Sequence, residues 1–232
     1  MTLAEHLGEL RRRILVALLA FVALACVSVF LYGWEFSLLR QPYCDIAHHA
    51  CRFYVTTPTD PLILRVKLAM FGGLVLSSPV VLWELWRFIT PGLRPTEKRY
   101  AVPFVAISIA LFLFGCVVVY VVLPHTLGWL IHVGGPSVHE LLNPNAYLSL
   151  VLLLMVLFGL TFQFPVLLVA LELARVITPA ILLRHWRWAV IGITIGAAVL
   201  TPSSDPFSML ALAVPLTAFY FGSIGVGKLL RR

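Results

Sequence analysis

The chain has 232 residues, 61% of them hydrophobic and 12% charged, and a formal net charge of +7. A soluble domain is nearer half apolar and a quarter charged, so this composition excludes an ordinary soluble globular protein. The apolar residues collect in runs long enough to cross a bilayer. In such a chain the positive balance reports membrane orientation and anionic lipid rather than nucleic acid.

Residues 1–13 read as a short amphipathic helix entering the bilayer at Ile14. Thr2 and Glu5 have capping-box spacing, Leu3, Leu7 and Leu10 share a face, and Glu9 stands one turn before Arg13. The first apolar run is long and lacks a small-residue cleavage site, so it is expected to be a retained span rather than a signal peptide. Six spans are expected in one transmembrane domain over residues 1–232, at about 14–32, 62–83, 101–123, 146–171, 187–200 and 207–227. Long loops are expected at 33–61 and 124–145. Span 5 has about 14 residues and reaches roughly 21 Å at 1.5 Å per residue, short of roughly 30 Å of hydrocarbon. Span 6 carries Pro215. The last two spans are therefore expected to sit under hydrophobic mismatch.

Lys and Arg set the orientation. Of the 17, 13 fall at the two termini, in the loop around Glu97 and in the 172–187 loop; Arg40, Arg52, Arg65 and Lys67 fall on the other side. The positive-inside rule places both termini and the Glu97 loop in the cytoplasm. That loop, from Glu84 to Tyr100, is broken by Pro91-Gly92 and Arg94-Pro95 and is the busiest charged segment between apolar runs. The pattern Glu-Leu-x-Arg-x-Ile-Thr-Pro occurs at Glu84 and again at Glu172. Its Thr-Pro is a helix-start signal, with Thr as N-cap and Pro in the first turn.

The candidate sites carry two readings each. Cys44 and Cys51 share the loop opposite the cytoplasm, where an oxidising compartment favours a disulfide. His48 and His49 between them leave a zinc alternative, although the spacing matches no standard site. Cys26 and Cys116 lie mid-span. Gln163 is the most polar residue well inside a span, and an amide in hydrocarbon needs a partner or water. Asp205 reads as a turn or N-cap residue before span 6, and Glu97 as a carboxylate favoured near the start of span 3. Motifs of metalloproteases and serine hydrolases are missing, and no charged residue falls near the centre of an expected span, where ion-coupled transporters hold theirs.

Taken in order, Glu5-His6-Leu7-Gly8-Glu9-Leu10-Arg11-Arg12-Arg13, Ser78-Pro79-Val80, Phe88-Ile89-Thr90-Pro91-Gly92-Leu93 and Glu97-Lys98-Arg99 form a series. It continues with Phe162-Gln163-Phe164-Pro165-Val166 and the Thr201-Pro202 to Asp205-Pro206-Phe207-Ser208-Met209 segment. Over almost its whole length the chain resembles the TatC family, the receptor subunits of the twin-arginine protein translocase. The resemblance implies an all-α integral membrane protein, a cupped bundle of six transmembrane helices in the cell inner membrane, with both termini cytoplasmic. It implies recognition of twin-arginine signal peptides on folded precursors, with TatA/TatB-type single-span partners in a multi-copy complex driven by the proton-motive force. It implies no catalysis, no nucleotide or other cofactor, and no metal. It carries signal-peptide binding onto Glu9, Arg11, Glu97 and Arg99, an intramembrane polar role onto Gln163, and a role in the last turn opposite the cytoplasm onto Asp205. Many family members have Glu where this chain has Gln163, so a role requiring a titrating carboxylate does not transfer. The alternative is a small secondary transporter with a midplane polar site near Gln163.

Overall fold

The computed structural model describes residues 3–45, 53–55, 57–89, 101–133, 143–201 and 205–230. Every regular element among them is a helix: α1 (Leu3–Cys44), α2 (Asp60–Ile89), α3 (Ala101–Val133), α4 (Pro144–Thr161), α5 (Phe164–Leu173), α6 (Pro179–Arg184), α7 (Trp186–Leu200) and α8 (Pro206–Leu230). Among the described residues, five stretches are long and apolar enough to cross a membrane: α1, α2, α3, α4 with α5, and α8. The helix α7 is apolar but has only 15 residues, so the short fifth span expected from the sequence is a short helix.

The first helix corrects the expected loop at 33–61. It runs on through residues 33–44, with Pro42 inside the helix, a segment expected as part of the loop. Tertiary packing overrides that weak propensity signal. Ser28, Glu35 and Leu39 fall on one face and are buried. The Glu35 carboxyl group accepts a hydrogen bond from Ser28 Oγ at 2.7 Å, so an acidic side chain lies buried in α1 beyond the span expected at 14–32. Opposite it stand Gly72 and Gly73 of α2, where a Cβ would run into Glu35 and Ser28 or lie 2.6 Å from the Ala25 backbone. These glycines let two helices approach backbone to backbone, as small residues do in membrane bundles. The third helix likewise runs past Pro124 to Val133, shortening the second expected loop.

The expected fourth span is two helices. Pro165 has no N–H and cannot bond the carbonyl four residues back, and it disfavours α geometry in Phe164 before it. The chain tightens at the break, where Gln163 N–H donates to Leu160 O at 3.0 Å. The helix α5 ends in a Schellman cap, with Val176 N–H on Leu171 O at 3.0 Å and Arg175 N–H on Glu172 O at 3.2 Å. Arg175 takes the positive φ that this cap requires. Thr178 then caps α6, its Oγ1 accepting from Ile181 N–H at 3.3 Å, as the Thr-Pro signal anticipates. The core runs through the bundle on Leu68, Leu123, Leu148, Phe158, Phe162 and Leu212.

Candidate functional site

Alternation of the long helices puts the start of α1, the end of α2, the start of α3, the end of α5 and the end of α8 at one end of the bundle. At that end a charged cluster joins α1 to α2. Glu9 and Arg13 are one turn apart on α1 and pair, through Arg13 Nε at 3.1 Å and also through Nη2. The same guanidinium reaches across to α2, where Nη1 donates to Glu84 Oε2 at 3.1 Å. The side chains of Arg13, Glu84 and Glu9 are 13%, 15% and 27% exposed, so the pairings are largely screened from water and stronger than surface ion pairs. A cavity of about 230 Å³ opens beside them, lined by Glu9, Arg12, Arg13, Val16, Glu84 and Arg87.

Of the four residues expected to bind a signal peptide, Glu9 is in this cluster and Arg11 is exposed, two residues along α1 and on another face of the helix. Glu97 and Arg99 lie outside the described residues. Glu84 and Arg13 were not singled out for binding from the sequence. The signal was present in the carboxylate of Glu84, set just inside the end of an apolar run, but its partner depends on the register of α1 on α2.

Gln163 has found a protein partner. Its Nε2 donates to the backbone oxygen of Ser108 on α3 at 2.9 Å, and Ser108 Oγ accepts from Trp86 Nε1 of α2 at 2.7 Å. One residue of α3 thus ties the α4–α5 break to α2. This commitment of the amide favours an interhelical tether over a transporter's midplane site.

Asp205 is 1% exposed at the opposite end of the bundle. It caps α8: Oδ1 accepts from Ser208 N–H at 2.7 Å and Oδ2 from Ser208 Oγ at 2.6 Å. Thr126 Oγ of α3 also donates to Oδ1, at 3.3 Å. This is the geometry of an N-cap acid with Pro at the first helical position. Cys44 is disulfide-bonded; Cys51, His48 and His49 lie outside the described residues. Among the described residues, no group of three or more His, Cys, Asp or Glu side chains is placed to hold a metal.

The fold and composition define a multi-pass, all-helical membrane protein with a polar cluster at one end. The family model of TatC, Sec-independent protein translocase protein, matches residues 5–215. The chain is 41% identical to a Sec-independent protein translocase protein TatC of Frankia casuarinae, over 99% of this chain and 66% of that protein. It is 33% identical to the TatC of Aquifex aeolicus over 100% of this chain and 97% of that one. A crystal structure of the twin-arginine translocase receptor TatC superposes with a TM-score of 0.80 at 33% identity, covering 98% of this chain and all of that one. The chain belongs to the TatC family of Sec-independent protein translocase proteins.

Proposed function

We propose that this protein is the receptor subunit of a twin-arginine translocase, binding the signal peptides of folded precursors at the end of the bundle that holds Glu9. The observation that carries this reading is the Arg13 guanidinium held between Glu9 and Glu84 beside an open cavity. A site that holds one arginine between two carboxylates has the chemistry to hold a ligand's arginine, since guanidinium and carboxylate match in shape and charge. Arg11 of α1, and Glu97 and Arg99 of the sequence between α2 and α3, are assigned to the same binding role. Gln163 and Asp205 serve as tether and cap. The site lies in the cytoplasm, with both termini, in the cell inner membrane; 13 of 17 Lys and Arg on that side support this orientation. TatA/TatB-type single-span proteins assemble around the bundle, and the proton-motive force drives transport. In this reading the chain acts by binding rather than by catalysis.

The test is binding of a twin-arginine peptide and its twin-lysine version to Glu9→Gln, Glu97→Gln and the double variant. Each single change is expected to weaken the twin-arginine peptide about ten- to a hundred-fold. Unchanged affinity in folded single variants would sink the assignment. Orientation is checked by labelling: Glu140→Cys is expected to react from outside the cell and Thr96→Cys only after permeabilisation. The proposed partner of Cys44 is Cys51, so both are expected to resist alkylation until reduced.

A further inference from the structure

The site just proposed has a difficulty in its charge balance. Its described lining holds two carboxylates, Glu9 and Glu84, against three guanidinium groups, Arg12, Arg13 and Arg87. Both carboxylates are already engaged by Arg13. A ligand bringing further positive charge meets like charge at the cavity, and Glu9 and Glu84 each give part of their acceptor capacity to a resident arginine. Simple addition of a ligand arginine to this arrangement is electrostatically unfavourable. Exchange avoids the difficulty, because one guanidinium replaces another between the same oxygens.

We propose that Arg13 is a resident stand-in for the ligand's arginine, an internal plug that the twin-arginine peptide displaces from Glu9 and Glu84. Three features support exchange. Arg13 occupies the pair with its own side chain, so no second molecule has to leave. The pair is drawn from two helices, Glu9 from α1 and Glu84 from α2, so the acceptors remain in place when Arg13 swings out. Arg13 also has somewhere to go: it follows Arg11 and Arg12, both exposed, and a long guanidinium side chain at a membrane surface extends readily to lipid phosphate. The plug also acts as a selectivity filter. A guanidinium can bridge the two carboxylates bidentately as Arg13 does, whereas a lysine ammonium is a single point charge and competes poorly for both. Glu84 thereby becomes a specificity-determining residue of the site.

The inference rests on the signal-peptide reading, and one set of titrations separates the two. The full chain in nanodiscs is titrated with a twin-arginine peptide and its twin-lysine version, at low and high salt. The variants are Glu9→Gln, Arg13→Gln, Arg13→Lys, Glu84→Gln and Arg13→Gln with Glu84→Gln. Removing the plug is expected to tighten the twin-arginine peptide about ten-fold and to narrow its advantage over twin-lysine. Arg13→Lys, which keeps the charge and loses the bridging fork, is expected to tighten it by a smaller factor. Adding Glu84→Gln to Arg13→Gln is expected to abolish the gain. Where Arg13→Gln does not fold, Arg13→Lys decides alone. Wild-type binding that depends on Glu9 but is unchanged or weakened in folded Arg13→Gln or Arg13→Lys overturns the plug and makes Arg13 a positioning residue only. Absence of wild-type binding, or indifference to Glu9→Gln, overturns the receptor reading and the plug together.

Discussion

Two ends of the bundle hold partly or fully buried carboxylates in opposite ways. At one end, Glu9 and Glu84 share a single guanidinium carried on a long side chain. At the other, Asp205 is surrounded by short, neutral donors: the Ser208 N–H and hydroxyl from its own turn, and Thr126 from α3. Asp60 follows the second pattern, accepting from Thr57 N–H at 3.0 Å and from Asn145 Nδ2 at 2.8 Å. A carboxylate closed in by its own backbone turn is a structural clamp. A carboxylate held by a flexible ion from elsewhere in the chain keeps an exchangeable partner. The difference between a clamp and an exchangeable site lies in the partner, since the acid group is the same.

The largest expected effect is at the clamp. Asp205→Ala removes three hydrogen bonds at a buried site, and a cost of about 3 kcal/mol in stability is expected, read as a lowered unfolding midpoint in detergent. Glu172 offers a sharper test, because it lies at the same end of the bundle as Glu9 and Glu84 yet is 1% exposed and packed on Gly227 of α8. If partner and packing decide the role, rather than position, Glu172 is structural. Gly227→Ala would drive a methyl into its carboxylate, and overpacking of this kind costs about 2 kcal/mol. A Gly227→Ala protein that melts normally would contradict that packing. Asn145→Ala removes two hydrogen bonds to Asp60 and is expected to cost about 1 kcal/mol, measured the same way. Glu84→Gln is expected to be the mildest for stability, under about 1 kcal/mol, since the amide oxygen can still accept from Arg13 and Glu9 keeps its pairing with that guanidinium.

Much of this was legible in the sequence. Apolar run lengths gave the long helices, Thr178-Pro179 the start of α6 and the Glu9–Arg13 spacing its ion pair. Each is a local signal, written within one or two turns of chain. The fourth span, by contrast, reads as unbroken through Pro165. What was not legible depends on how helices meet. Residues 33–44 read as part of a mixed, Pro-containing loop, yet α1 runs on through Pro42, and the Gly72-Gly73 face of α2 makes room for Glu35. The Arg13–Glu84 pair joins residues 71 apart, and a shift of one residue between α1 and α2 would have broken it. The same holds for Gln163, whose polarity was plain but whose acceptor on α3 was not.

The central claim is that the carboxylates at the two ends do different jobs, and the most direct measurement is the affinity of a twin-arginine peptide for Glu84→Gln and Asp205→Asn side by side. The account predicts that Glu84→Gln binds about ten-fold more weakly while melting like the wild type, and that Asp205→Asn binds like the wild type while melting lower. Wild-type affinity in Glu84→Gln, or weakened binding in a normally melting Asp205→Asn, would contradict it.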